Sequence, residues 1–419
     1  MRASVLFEQG KPLQTEELDL EPPRTGEVTV RMTASGVCHS CLHAADGSWA
    51  GVPVPIVLGD EGAGVVEAVG PGTPGLQKGD HVILSWAPTC GRCHFCVIGR
   101  PNLCERRQPG RGVLPDGTTR MSLRGQRVYH YGHVATYASR TVVAESCAIA
   151  IDKRMPLDRA ALIGCSVMTG VGAVINTAAV SAGASMAVFG AGGIGLNVVQ
   201  GGDMVAAHPI IAVDVKRARL DHARALGATH GVDASAEDPV AAIKAITRRG
   251  ADFSFVAVGD TRAVAQACDA LSPGGTCVLI GVPATGATVP LDVRPIVTGE
   301  RTIRGCSYRR GAHPRGPAQA RRALPGRPSP HRRAHHASLR PRRRERSLPR
   351  PRRGRARSRP HCLLRRDGGD RACLRARVQG PWRPQWHLDH HTPGENDGTE
   401  PNSQHGIEGR IHRHGGPAD

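Results

Sequence analysis

Cys90, Cys93, Cys96 and Cys104 stand with two, two and seven residues between them in a stretch containing glycine and arginine. Thiolates at such intervals turn towards one centre when the chain curls, and four of them complete the tetrahedral shell of a zinc ion. With no open position, that site shapes a lobe of chain and performs no reaction. Four unrelated free thiols are the alternative, and so regular a run argues against it. A second pattern, Gly190-Ala191-Gly192-Gly193-Ile194-Gly195, has the spacing G-x-G-x-x-G. Its first glycine permits a tight turn, its second lets a pyrophosphate approach the backbone, and its third lets helix and strand pack closely. Asp214, nineteen residues beyond Gly195, ends the next apolar run. A carboxylate there can accept both ribose hydroxyls and repel a 2′-phosphate, which favours NAD over NADP. Lys216 and Arg217 beside it pull the other way. Three further islands carry ligand and hydroxyl chemistry: Gly36-Val37-Cys38-His39-Ser40, Gly59-Asp60-Glu61-Gly62-Ala63-Gly64 and Gly164-Cys165-Ser166.

The elements that position these residues fall into two kinds. Residues 1–150 read as short β-rich runs punctuated by glycine and proline, among them Glu27–Met32, Gly64–Gly70 and Asp80–Leu84. A helical, alanine-rich stretch follows over 156–180. From Ser185 buried strands alternate with helices: strand 186–189, helix 194–205, and strands at 210–214, 253–258 and 276–281. That alternation predicts a parallel, doubly wound sheet.

The chain of 419 residues is long enough for two domains, and its thirteen cysteines sit largely at ligand spacings. Met1–Glu8 reaches an acidic residue too early for a secretion signal, and no apolar run approaches a membrane span. These features predict a cytoplasmic protein that uses thiols for metal rather than for disulfides. The net charge of +19 is unevenly distributed. Residues 309–419 hold 27 arginines, no lysine and nine acidic residues, a net +18, so the first three-quarters is close to neutral.

Together the zinc lobe, the dinucleotide turn and the three islands make residues 1 to about 308 resemble the zinc-dependent medium-chain alcohol dehydrogenases. The resemblance implies an α/β protein with a GroES-like, β-rich catalytic domain over 1–166 and a Rossmann domain over 167–308. It implies two zinc ions per chain, one catalytic and one structural, and reversible hydride transfer between an alcohol and NAD. Residue by residue, Cys38 and Cys165 match thiolate ligands of the catalytic zinc, Ser40 the hydroxyl that takes the alcohol proton, and His43 the imidazole that relays it. Glu61 matches a carboxylate behind the metal, Trp86 a wall of the substrate pocket and Thr169 a hydroxyl near the nicotinamide. Trp49 joins Trp86 in hinting at a bulky or aromatic substrate. The resemblance also implies a dimer or tetramer paired through the strand around Thr302–Tyr308.

Two positions depart from the family together. Asp60 stands where a histidine ligand is usual, and Cys41 where a carboxylate that orients it is usual. Carboxylates are accepted zinc ligands, so Asp60 is expected to replace the imidazole, with Cys41 and Glu61 as the other candidates. Beyond Arg309 the resemblance stops. Residues 309–364 contain no Val, Ile, Phe, Tyr, Trp or Met, too little apolar surface to offset chain ordering, and disorder is expected. Arginine without lysine fits an out-of-frame reading of a GC-rich gene, so a frameshift near Tyr308, leaving an inactive remnant, is one expectation. A basic arm holding nucleic acid non-specifically is the rival.

Overall fold

The computed structural model describes residues 1–107 and 112–308. The expectations of disorder, of a frameshift and of a nucleic-acid-binding arm all concern residues 309–419 and lie outside the described residues.

Six parallel strands form the nucleotide-binding sheet. Met186–Phe189 lies at its centre, with Ile210–Asp214 and His230–Asp233 on one side and Ala251–Val256, Leu271–Leu279 and Thr302–Gly305 on the other. The order is that of a Rossmann sheet, which reverses direction beside its first strand and so opens a crevice at the strand ends. Met186 to Phe189 pair in register with Ile210 to Val213 and with Phe253 to Val256. Strands Met186–Phe189 and Ile210–Asp214 are buried at every position, as expected where helices cover both faces of a sheet. Val188, Ala212, Phe255 and Val278 fill one face, and Ala187, Ile211, Val213 and Cys277 the other.

The catalytic half is built on mostly antiparallel strands, with Ile56–Val57 and Gln126–His130 the parallel exception. One five-stranded sheet runs Arg140–Ala144, Glu27–Ser35, Glu61–Val69, His81–Ser85, Ala148–Ala150 in spatial order. Its apolar face buries Val28, Val30, Val66, Val82, Leu84 and Val143. Register matters here: Glu61 pairs with Ser85 and Gly62 with Ser35, so the starts and ends of three strands meet at one end of the sheet. A second sheet of six strands lies in the same half of the chain. The stretch 156–180 is helical in four short pieces, Leu157–Ala160, Ala161–Gly164, Ser166–Gly172 and Ala173–Ala178, broken at Cys165. Among the described residues no single helix is long and apolar enough to cross a membrane.

Candidate active site

Three short segments deliver the first donor set. Cys38 is the N-cap of helix His39–Asp46, in extended conformation, so its side chain projects from the helix mouth. Asp60 immediately precedes strand Glu61–Val69, and Cys165 sits at the break between Gly164 and Ser166 with φ −134° and ψ −69°. The first two segments are joined where Gly36 N donates to Glu61 O at 3.2 Å, and a Cβ on Gly36 would meet the Glu61 side chain. The thiols of Cys38 and Cys165 and a carboxylate oxygen of Asp60 lie within 4.8 Å of one another. Cys165 Sγ is 3.8 Å from Asp60 Oδ2, close to the spacing that two donors on one tetrahedral zinc adopt, about 3.6 Å. Burial raises the pKa of Asp60. Hydrogen bonding with Cys38, then burial, raises that of Cys165. A dication placed among donors this close and out of water would favour their ionised forms. The donor set therefore fits zinc in geometry and in charge.

Asp60 divides its two oxygens. Ser40 Oγ donates to Oδ2 at 2.7 Å, while Cys41 Sγ approaches Oδ1 at 3.9 Å. Of the three candidates for the position left open by the missing histidine, Asp60 is the one that shares a centre with Cys38 and Cys165. Glu61 turns to Ser166, whose backbone N–H donates to its Oε2 at 3.0 Å, and burial lifts its carboxyl to about 7. His43, one turn beyond Ser40, stacks on Trp49 with ring centroids 5.4 Å apart. Burial, then the neighbouring His39, lowers its pKa below 6.5. Trp86 lies beside Asp60, since a Cβ built on Gly132 would be 3.3 Å from Trp86 Cβ and 3.4 Å from Asp60 Cβ. Its ring carries the Arg107 guanidinium at 4.1 Å and Tyr308 at 4.9 Å. Neither neighbour was legible in the sequence, because both are remote in the chain and belong to no motif.

The second donor set lies in the lobe around helix His94–Val97 and the turn Pro101–Leu103. The four thiols of Cys90, Cys93, Cys96 and Cys104 lie within 4.8 Å of one another. Cys93 Sγ and Cys104 Sγ are 3.9 Å apart, and four thiolates on one zinc stand about 3.8 Å apart. Backbone hydrogen bonds at Glu105 and Cys96 draw the Cys93 thiol down to about 6, towards the thiolate a metal needs.

At the glycine-rich turn Gly190 has φ 92°, a conformation that side chains resist, and a Cβ on Gly195 would stand 1.7 Å from the Gly190 carbonyl oxygen. Above Gly192 and Gly193 the space within 4 Å of such a Cβ is open, and helix Gly193–Met204 points its free N–H groups into it. Ile194 sits in that first turn. Helix Ser166–Gly172, carrying Thr169, crosses close by: a Cβ on Gly170 would meet Ile194 O at 2.6 Å. Asp214 ends its strand buried, its carboxylate accepting from Ala191 N at 2.8 Å and Lys216 N at 2.9 Å. The Lys216 contact is therefore through its backbone. Arg219 Nη1 reaches the same carboxylate at 3.5 Å.

Residues 24–153 match the family model described as alcohol dehydrogenase GroES-like domain, and residues 193–323 the one described as zinc-binding dehydrogenase. S-(hydroxymethyl)glutathione dehydrogenase of Synechocystis is 43% identical over 305 residues, covering 72% of this chain and 83% of the relative. The Escherichia coli O157:H7 enzyme of that name is 41% identical over 73% of this chain and 84% of its own length. Among solved structures, an alcohol dehydrogenase zinc-binding domain protein from Burkholderia ambifaria aligns with TM-score 0.71 and 38% identity, covering 74% of this chain and 84% of that one. Benzyl alcohol dehydrogenase from Acinetobacter calcoaceticus aligns with TM-score 0.70 and 34% identity, covering 74% and 85%. A chain matched in both halves by such models, and at this identity over most of a named dehydrogenase, belongs to the zinc-dependent medium-chain alcohol dehydrogenase family.

Proposed function

We propose that the chain oxidises a primary or secondary alcohol reversibly with NAD, at a zinc held by Cys38, Asp60 and Cys165. The observation that carries this reading is the convergence of two thiols and one carboxylate from three remote segments. When bound, zinc supplies a Lewis acid for the alcohol oxygen, and the nicotinamide supplies the hydride acceptor. The rest falls to the chain. Ser40 Oγ stands against Asp60, at the donor set, and receives the alcohol proton. His43 lies on the same helix face three residues on, and its depressed pKa leaves a neutral ring able to take that proton towards solvent. Glu61, behind the donors, holds the Ser166 end of the Cys165 break in place. Trp86 beside Asp60, with Trp49 beside His43, gives the pocket aromatic walls suited to a bulky or aromatic alcohol.

Gly190, Gly192, Gly193, Ile194 and Gly195 receive the pyrophosphate, Thr169 stands by the nicotinamide, and Asp214 with the Lys216 backbone receives the ribose. Support for NAD is the fixed carboxylate of Asp214, which opposes a 2′-phosphate; Arg219 at 3.5 Å favours the NADP reading instead. A second zinc at Cys90, Cys93, Cys96 and Cys104 holds the lobe. Among the described residues strand Thr302–Gly305 is the last of the parallel sheet, and its outer edge supports pairing of two chains into a dimer or tetramer; a cytoplasmic setting is part of the same reading. The catalytic domain is taken as 1–166 and the nucleotide-binding domain as 167–308.

The test is zinc content and turnover of the purified full chain. Two zinc ions per chain, falling to one in Asp60→Ala, are expected, together with nicotinamide reduction by S-(hydroxymethyl)glutathione or benzyl alcohol that is faster with NAD than with NADP. A wild-type chain that holds a single zinc sinks the ligand assignment.

A further inference from the structure

Tyr308 follows the last strand of the nucleotide-binding sheet, yet its side chain ends in the catalytic half. The residue is 6% exposed and has φ 66°, a left-handed conformation that costs a bulky residue energy and persists only where its surroundings hold it. Its hydroxyl lies 2.7 Å from Gly164 O and 2.9 Å from Ser85 Oγ, partners 144 and 223 residues away. A phenol has one proton, and the carbonyl can only accept. The Tyr308 hydroxyl therefore shares its proton between Gly164 O, at the shorter distance, and Ser85 Oγ, both of which accept.

Gly164 packs closely on the strand beside it, since a Cβ there would stand 1.9 Å from Leu84 O. Its carbonyl belongs to the peptide that begins Cys165, and Cys165 has backbone angles outside both helix and strand. The orientation of that peptide sets where the thiol points. The preceding residues fasten Tyr308 from the other side. Cys306 N donates to Leu279 O at 2.8 Å within the parallel sheet. Asn102 Nδ2 donates to Ser307 O at 3.1 Å, and Arg107 Nη1 to Ser307 Oγ at 3.3 Å, from the four-cysteine lobe.

We propose that Tyr308 is a positioning residue for the Cys165 thiol, tying the end of the nucleotide-binding sheet to the Gly164–Cys165 peptide. The inference rests on the reading that Cys165 holds zinc. Tyr308→Phe keeps the ring against Trp86 and removes only the hydroxyl. In the full chain, titrated with a chromogenic zinc chelator, this variant is expected to bind the more weakly held zinc about ten-fold less tightly, the low end for groups that orient a ligand. The four-cysteine site should be unchanged and so reports an intact fold. The thiolate charge-transfer band of the cobalt-loaded catalytic site should shift as well. Ser85→Ala, which leaves the Tyr308 bond to Gly164 O in place, should weaken the same site less than Tyr308→Phe does. Unchanged affinity at both sites, or an equal loss at both, overturns the proposal. A wild-type chain with one zinc would instead overturn the ligand assignment beneath it.

Discussion

Acid should destabilise this protein through His130, which belongs to no proposed metal or cofactor site. Its side chain is completely buried, and Nε2 accepts the backbone N–H of Arg120 at 3.2 Å, which requires the neutral ring. Burial, then the Arg120 guanidinium, pushes its pKa from 6.5 down to about 3. Above pH 6.5 neither the folded nor the unfolded chain protonates this ring, and its neutral contacts are fully available. Between about pH 6.5 and 3 the unfolded chain binds the proton and the folded chain does not, so stability falls with pH by about 1.4 kcal/mol per unit. Two units below the ordinary value, near pH 4.5, the loss is about 2.7 kcal/mol. His130→Gln, whose amide oxygen can accept the Arg120 N–H, should start slightly less stable at neutral pH and lack this slope. Urea unfolding of both proteins from pH 7.5 to 4.5 measures the difference, in which zinc loss and carboxylate titration, common to both, cancel. Parallel stability curves over that range would refute the argument.

Other perturbations test separate parts of the molecule. Arg120 has a fully buried side chain paired with Glu27 and Asp116; Arg120→Ala strands the buried Glu27 carboxylate and should cost about 3–5 kcal/mol in urea unfolding. Gly195→Ala forces a Cβ against the Gly190 carbonyl; a stability loss of about 1–3 kcal/mol and weakened nicotinamide binding, read by fluorescence titration, are expected. Cys93→Ser should lower zinc content from two ions to one and loosen the lobe that carries Asn102 and Arg107, seen as faster proteolysis between residues 90 and 107. Cys41→Ala frees Asp60 Oδ1 from its thiol neighbour and should weaken the catalytic zinc about 10–100-fold in chelator competition, with recovery in Cys41→Ser. If residues 309–419 act as a basic arm, binding of the full chain to duplex DNA should fall steeply with salt, while a 1–308 chain should show none.

What the sequence determined on its own was local. Cys90, Cys93, Cys96 and Cys104 occupy fifteen consecutive residues, and a curl of that length has few ways to avoid bringing four thiols together. The turn Gly190–Gly195 was readable for the same reason, since strand, turn and helix mouth are contiguous and the glycines answer to steric demands within six residues. Alternation of apolar strands with helices likewise implied the parallel sheet, because a strand covered on both faces must be apolar throughout. The centre that joins Cys38, Asp60 and Cys165 was legible only as three separate islands. Whether Asp60, Cys41 or Glu61 would face the two thiols depended on strand register, with Glu61 opposite Ser85 and Gly62 opposite Ser35, and no sequence window contains that register. Tyr308 left no signal at all: its partners stand 144 and 223 residues upstream, and nothing in its neighbours distinguishes a packed aromatic from one that holds a peptide. Periodicity and short spacings are written along the chain, but the approach of remote donors to one centre is set by how sheets and helices pack, and only the tertiary structure decided it.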